Sequence, residues 1–127
     1  MTPLTQEWLE KAEADFATAH WVAQAPKALA DSVCFHAHAS VEKHLKARLQ
    51  EAGIAFPKTH DLELLLNLVL PVESGWLAMR TDLKLLNRFA VEYRYPGIQA
   101  TQADAVTALE KCTEIRKRIR SAFGLPV

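Results

Sequence analysis

Apolar residues along the chain recur every three or four positions and almost never alternate, which predicts helices and no strands. The first helix is expected from about Thr5 to Gln24, where Trp8, Ala12, Asp15 or Phe16, Ala19 and Val22 fall at helical spacing and Pro26 closes the segment. The second is expected from about Leu29 to Ala52, with Cys34, Ala37, Val41, Leu45 and Leu49 on one stripe and Gly53 as its stop. A loop from Ile54 to Lys58 leads to a shorter third helix. Thr59 is its expected N-cap, and Asp61 and Glu63 set negative charge against the positive first turn. Pro71 ends it. A fourth helix from near Ser74 carries Trp76, Met79, Leu83, Leu86 and Ala90, and stops before Pro96-Gly97. The fifth opens on Thr101 and Asp104, a capping-box-like pair, and buries Ala105, Leu109, Cys112, Ile115, Ile119 and Phe123. Four long amphipathic helices and one short one, joined by short loops, predict an all-α, up-and-down four-helix bundle with one additional short helix.

Composition narrows this reading. The 127 residues suit a single domain spanning 1–127, and half of them are hydrophobic, enough for a core. Fifteen basic and fifteen acidic residues cancel, which argues against a generally cationic nucleic-acid coat while leaving room for a local basic patch. Cys34 and Cys112 sit within helical patterns, without metal-ligand spacing, and read as buried free thiols of a reducing compartment. The first residues show neither a basic n-region nor an apolar h-region, and the longest apolar run, Leu64 to Leu70, is too short to span a bilayer. The expectation is a cytoplasmic protein that makes no use of a membrane.

Three stretches together carry a family signature. Lys11-Ala12-Glu13-Ala14-Asp15-Phe16 opens the first helix. Cys34-Phe35-His36-Ala37, Val41-Glu42-Lys43 and Leu45-Lys46-Ala47 follow on the second, and lead through Gly53 and Phe56-Pro57-Lys58 to Thr59-His60-Asp61-Leu62. Tyr93-Arg94-Tyr95-Pro96 comes last. In order and spacing the set resembles the bacterial and archaeal branch of the HEPN domains (higher eukaryotes and prokaryotes nucleotide-binding), from about Trp8 to Phe123. The resemblance implies a helical bundle that usually forms a homodimer, binds nucleotide or RNA, and partners a minimal nucleotidyltransferase in a toxin–antitoxin-like pair. Many such proteins are metal-independent ribonucleases, and others keep only the binding role.

In the nuclease branch an arginine is followed, after four to six residues, by a histidine. Histidine moves protons near neutral pH, and a guanidinium holds phosphate through bidentate donors. Arg94 matches the arginine, but Gln99 stands at the four-residue spacing, with Ala100 and Thr101 at the longer ones. The expectation is therefore a binding protein without efficient catalysis, needing no cofactor and no metal. Its rival is a ribonuclease using Arg94 with the displaced histidine His60, and a third reading is a purely structural assembly module.

Arg94, Tyr95, Glu42, Lys46, His60 and Arg88 are the candidate binding residues, with Arg94 and His60 the catalytic candidates. Each has a plainer role. Arg94 would anchor Glu42 inside the bundle; His60 would cap a helix; Glu42 and Lys46 form an i,i+4 pair; Tyr95 would plug a helix end. Arg80, Lys84 and Arg88 line up as a basic row, either tracking phosphate or lying on a solvated face beside Asp82 and Glu92. Tyr93 and Tyr95 offer rings on which a base can stack. His36, Ser40 and His44, four apart, are expected as a polar stripe at the surface or dimer interface and not as a metal site. Arg116, Lys117, Arg118 and Arg120 are expected to complement the negative end of the last helix.

Overall fold

The computed structural model describes residues 1–127, which form five α-helices and no strand. They are α1 (Pro3–Ala23), α2 (Ala30–Ala52), α3 (Leu62–Val69), α4 (Arg80–Glu92) and α5 (Gln102–Ala122), with a 3₁₀ segment (Ser74–Met79) leading into α4. The four long helices make the bundle and α3 is the additional short one. No helix is long and apolar enough to cross a membrane.

Helix ends follow local chemistry. Thr2 caps α1 by accepting a hydrogen bond from the Thr5 amide at 3.1 Å, and Pro3 takes the first helical position, where its missing N–H costs nothing. That start lies two residues earlier than the apolar spacing suggests. At the other end of the hairpin Gly53 adopts φ +70°, the left-handed turn that closes α2. The N-cap of α3 is Asp61 and not Thr59: Asp61 Oδ1 accepts from the amides of Glu63 and Leu64, while Thr59 Oγ1 accepts from the Asp61 amide. Thr101 and Asp104 do form a reciprocal capping box on α5. The fourth helix starts as a tight 3₁₀ wind because Gly75 is a poor helix former and its carbonyl is held by the Arg118 guanidinium at 2.8 Å.

The central element is α2, which packs against α1, α3, α4 and α5 and buries more than half of its 23 residues. Leu45, Leu49, Leu62, Leu65, Leu66, Leu83, Leu86, Ile115 and Ile119 meet around it with almost no exposure. On α4 the core residue is Phe89, with Ala90 only half-buried; on α5 it is Ala108, with Leu109 at the margin.

That central position corrects the expected surface stripe on α2. Ser40 and His44 are fully buried. Ser40 Oγ donates to the Ala12 carbonyl at 2.8 Å, and His44 Nδ1 donates to the Ser40 carbonyl at 2.9 Å. The other ring nitrogen, Nε2, is buried without a partner. Only His36 stays near the surface, 2.9 Å from Asp15. Burial, opposed by the Ser40 carbonyl and Glu13, pulls the His44 pKa down to about 4.

The basic residues of α5 also do something other than expected. Arg116 grips Glu13 of α1 with two hydrogen bonds, at 2.8 and 2.7 Å, and Arg120 Nη1 adds an ion pair to the same carboxylate at 2.6 Å. Burial alone would raise Glu13, but the two guanidiniums outweigh it and hold the carboxyl below its usual range. With Arg118 on Gly75, these side chains tie elements together, while Arg120 and Arg116 also donate to the Pro126 and Val127 carbonyls just past the end of α5, at 2.6 and 3.4 Å. Both cysteines are buried free thiols, pushed up to about 12 chiefly by burial.

Candidate functional site

Three elements bring polar residues to one side of the bundle: α2, the strap that ends at Asp61, and the C-terminal end of α4. Glu42 lies on α2 and is 5% exposed. Its Oε2 accepts from Lys46 Nζ at 2.9 Å, one helical turn on, and its Oε1 accepts from His60 Nδ1 at 2.7 Å. The Lys46 ammonium in turn lies 5.3 Å from the Trp8 ring centroid. Both carboxylate oxygens are thus satisfied, the condition for a buried acid to be tolerated.

His60 belongs to the strap, and its side chain is 74% exposed. Because Nδ1 is committed to Glu42, the imidazole orientation is fixed and Nε2 is left without a protein partner. Beside it lies a groove of about 460 Å³, within the range of ligand-sized pockets. His38, His60, Asp61, Glu63 and Asn87 line one part of it, and Ala90, Val91, Arg94 and Tyr95 the other. A smaller hollow of about 170 Å³ shares His38, His60, Ala90 and Arg94, and extends the groove over Glu42, Lys43 and Phe35.

Arg94 lies just past the end of α4, exposed, with no hydrogen bond or ion pair to any other side chain. It does not anchor Glu42, whose partners are Lys46 and His60. Tyr95 is 62% exposed and so does not plug the helix end. Tyr93 holds that end: its ring stacks on Phe89 at 5.7 Å, and its hydroxyl donates to Asp104 Oδ2 at 2.6 Å. That bond to Asp104, aided by burial, pushes the Tyr93 phenol up to about 12.

Of the six residues singled out from the sequence, His60, Arg94 and Tyr95 line the groove, and Glu42 lines its inner extension. Lys46 is buried behind Glu42 and lines neither hollow. Arg88 lies outside both, 3.7 Å from Glu92. The rest of the basic row is compensated as well: Arg80 bonds Glu63 and Asn67, and Lys84 Nζ lies 4.0 Å from Glu63. Gln99 lines a separate hollow beside the α1–α2 loop. The histidines that share the groove with Arg94 are therefore His60 and His38, both far from it in sequence, and of the two His60 is the exposed one.

Sequence reasoning missed Asn87 and the place of His38. Asn87 Oδ1 accepts from the Leu62 amide at 3.0 Å and from His38 Nε2 at 3.2 Å, and its Nδ2 donates to Asp61 Oδ1 at 3.0 Å. Burial, partly offset by Asn87, lowers the His38 pKa. A polar residue on the same stripe as Leu83 and Ala90, two turns before Arg94, was the available signal.

The family model for the HEPN domain matches residues 5–122, nearly the whole chain. The chain belongs to the HEPN domain family. HEPN domains are helical and bind nucleotide or RNA. Searches of curated proteins and of solved structures returned no match. In this HEPN domain Arg94 opens onto the groove beside the Glu42–His60 pair.

Proposed function

We propose that the groove binds the phosphate of a nucleotide or a single-stranded RNA through Arg94. Tyr95 supplies a stacking surface, and His60 Nε2 a hydrogen-bonding edge. The observation that carries this reading is a guanidinium left exposed and uncompensated at the mouth of a ligand-sized groove, where nearby basic side chains such as Arg80 and Arg88 have acidic partners. The protein acts without efficient catalysis, as a cytoplasmic homodimer and the partner of a minimal nucleotidyltransferase in a toxin–antitoxin-like pair. Fluorescence anisotropy with a short labelled oligouridine tests the binding step. Arg94→Ala should weaken affinity by about ten- to a hundredfold, the worth of one charge-assisted contact of about 1.5–3 kcal/mol. It should also flatten the salt dependence by about 0.7 in slope, one phosphate contact on a single strand. Equal affinity in the variant, with an unchanged melting temperature, overturns the assignment.

A specific observation favours a second reading. The 2.7 Å contact from Glu42 to His60 resembles the way carboxylates orient a catalytic imidazole, with Nε2 free to take a proton. In that reading Nε2 removes the proton of an RNA 2′-hydroxyl, and the 2′-oxygen forms a bond to phosphorus. The bond to the 5′-oxygen breaks, and that oxygen takes a proton from water. Arg94 offsets the charge that develops on the phosphate. Growth arrest on expression, relieved by His60→Ala and by Arg94→Ala, would establish it; RNA left intact by the purified protein would rule it out.

A further inference from the structure

Arg94 and His60 belong to segments that the chain connects only through α3 and the 3₁₀ segment, more than thirty residues apart. Something must fix one against the other if they are to act on one ligand. The residue that joins the two segments is Asn87. It lies on α4, seven residues before Arg94 and on the same face, and its amide reaches across to Asp61 and Leu62, directly after His60. It also accepts from His38 on α2, so one side chain ties together all three elements that build the groove.

We propose that Asn87 is the positioning residue of the groove, setting the place of His60 relative to Arg94; the role in ligand binding rests on the function proposed above. The chemistry asks for an amide. Oδ1 must accept from the Leu62 amide and from His38, while Nδ2 must donate to Asp61. Asp61 Oδ1 is simultaneously the N-cap of α3, taking the amides of Glu63 and Leu64. The same atom therefore starts the helix and anchors the strap that presents His60. An apolar residue at 87 would leave the Leu62 amide and His38 without their acceptor. An aspartate there would accept from both but would set one carboxylate against another at Asp61.

That repulsion gives a reversible test. Asn87→Asp should misplace the strap, and Asp61→Asn added to it should restore the link. The amide introduced at position 61 would then donate to the carboxylate introduced at position 87. Its carbonyl oxygen would still cap α3, a position that asparagine fills as well as aspartate. Arg80→Ala is the control, since it cuts a different tie between α3 and α4, to Glu63 and Asn67, without touching the strap. The readouts are the ¹⁵N resonances of the His60 imidazole, which report whether Nδ1 still donates to Glu42, and the affinity for the labelled oligouridine. Asn87→Asp should move the His60 resonances and weaken binding about tenfold. The double variant should recover both to within about twofold, and Arg80→Ala should leave the His60 resonances where they are. Wild-type His60 resonances in Asn87→Asp, or an equal displacement in Arg80→Ala, overturn the proposal. If the wild-type protein does not bind the oligouridine at all, the functional reading falls, and the imidazole resonances alone decide the role of Asn87.

Discussion

His44 gives this bundle an acid sensitivity that can be worked out before any titration. The imidazole is fully buried, Nδ1 donates to the Ser40 carbonyl, and Nε2 has no partner. A proton on Nε2 would create a buried cation close to Arg116 and Arg120 as well as Glu13, with no new hydrogen bond to offset its desolvation. Burial therefore lowers the folded-state pKa to about 4, from the 6.5 of a solvated imidazole, which stands for the unfolded chain. The unfolded state takes up the proton first. The stability contributed by the neutral ring is complete above pH 6.5 and is lost as the pH falls from 6.5 towards 4. At about 1.4 kcal/mol per pH unit the loss is about 2 kcal/mol at pH 5 and at most about 3.5 kcal/mol well below pH 4. For a domain of this size that corresponds to about 7 °C in melting temperature at pH 5. His38, also lowered by burial, adds a loss of the same sign. The comparison that isolates His44 is therefore the wild-type protein against His44→Leu, with urea unfolding measured at intervals from pH 7.5 to 5. Leucine is of similar size, and it leaves no polar group orphaned: Ser40 Oγ keeps its bond to Ala12, and the Ser40 carbonyl, which loses Nδ1, keeps its helical amide partner four residues on. The variant should be close to wild type in stability at pH 7.5 and more stable by about 2 kcal/mol at pH 5. Parallel stability curves for the two proteins would refute the reasoning.

Other tests bear on the ties between helices. Glu13→Leu leaves Arg116 and Arg120 facing each other without their shared carboxylate, and should cost about 1–3 kcal/mol in chemical unfolding, between the values for exposed and buried pairs. Asp104→Asn replaces the charged acceptor of the Tyr93 proton by a neutral one, so the phenol ionisation, followed by ultraviolet absorbance, should fall from about 12 towards 10. The same variant weakens the capping box of α5 and should lower the melting temperature by a few degrees, for a loss of about 1 kcal/mol.

Helix number, order and approximate ends were legible because the signals are local: Gly53, Pro71, Pro96-Gly97 and the Thr101–Asp104 pair act within one turn of where they stand. The 3₁₀ entry to α4 was only half legible: Gly75 is a local signal, but the guanidinium that holds its carbonyl is forty-three residues away. The same distinction separates the site residues. Glu42 with Lys46 is an i,i+4 pair and can be read directly from spacing. That His60 completes the pair, that Arg94 stays free, and that Asn87 links their segments all depend on how α2, α3 and α4 dock. The fate of His44 is the clearest case. Its spacing with His36 and Ser40 does mark one face of a helix, but periodicity does not say how many neighbours a helix has. A central helix surrounded by four others buries polar positions that a peripheral one would leave wet.

The clasp from Glu13 to Arg116 joins residues 103 apart in sequence, whereas α1 and α2 meet across a loop of a few residues. Closing the longer segment costs more chain entropy, by about 0.6 kcal/mol for each doubling of length. The α1–α2 hairpin is therefore expected to pair first and α5 to close onto it afterwards, an order that φ-values at Glu13 would check. An interaction made after the rate-limiting barrier acts on the unfolding rate and leaves the folding rate nearly unchanged. On that order the guanidiniums around Glu13 work as a latch on the finished bundle: Glu13→Leu should speed unfolding and leave the folding rate nearly unchanged.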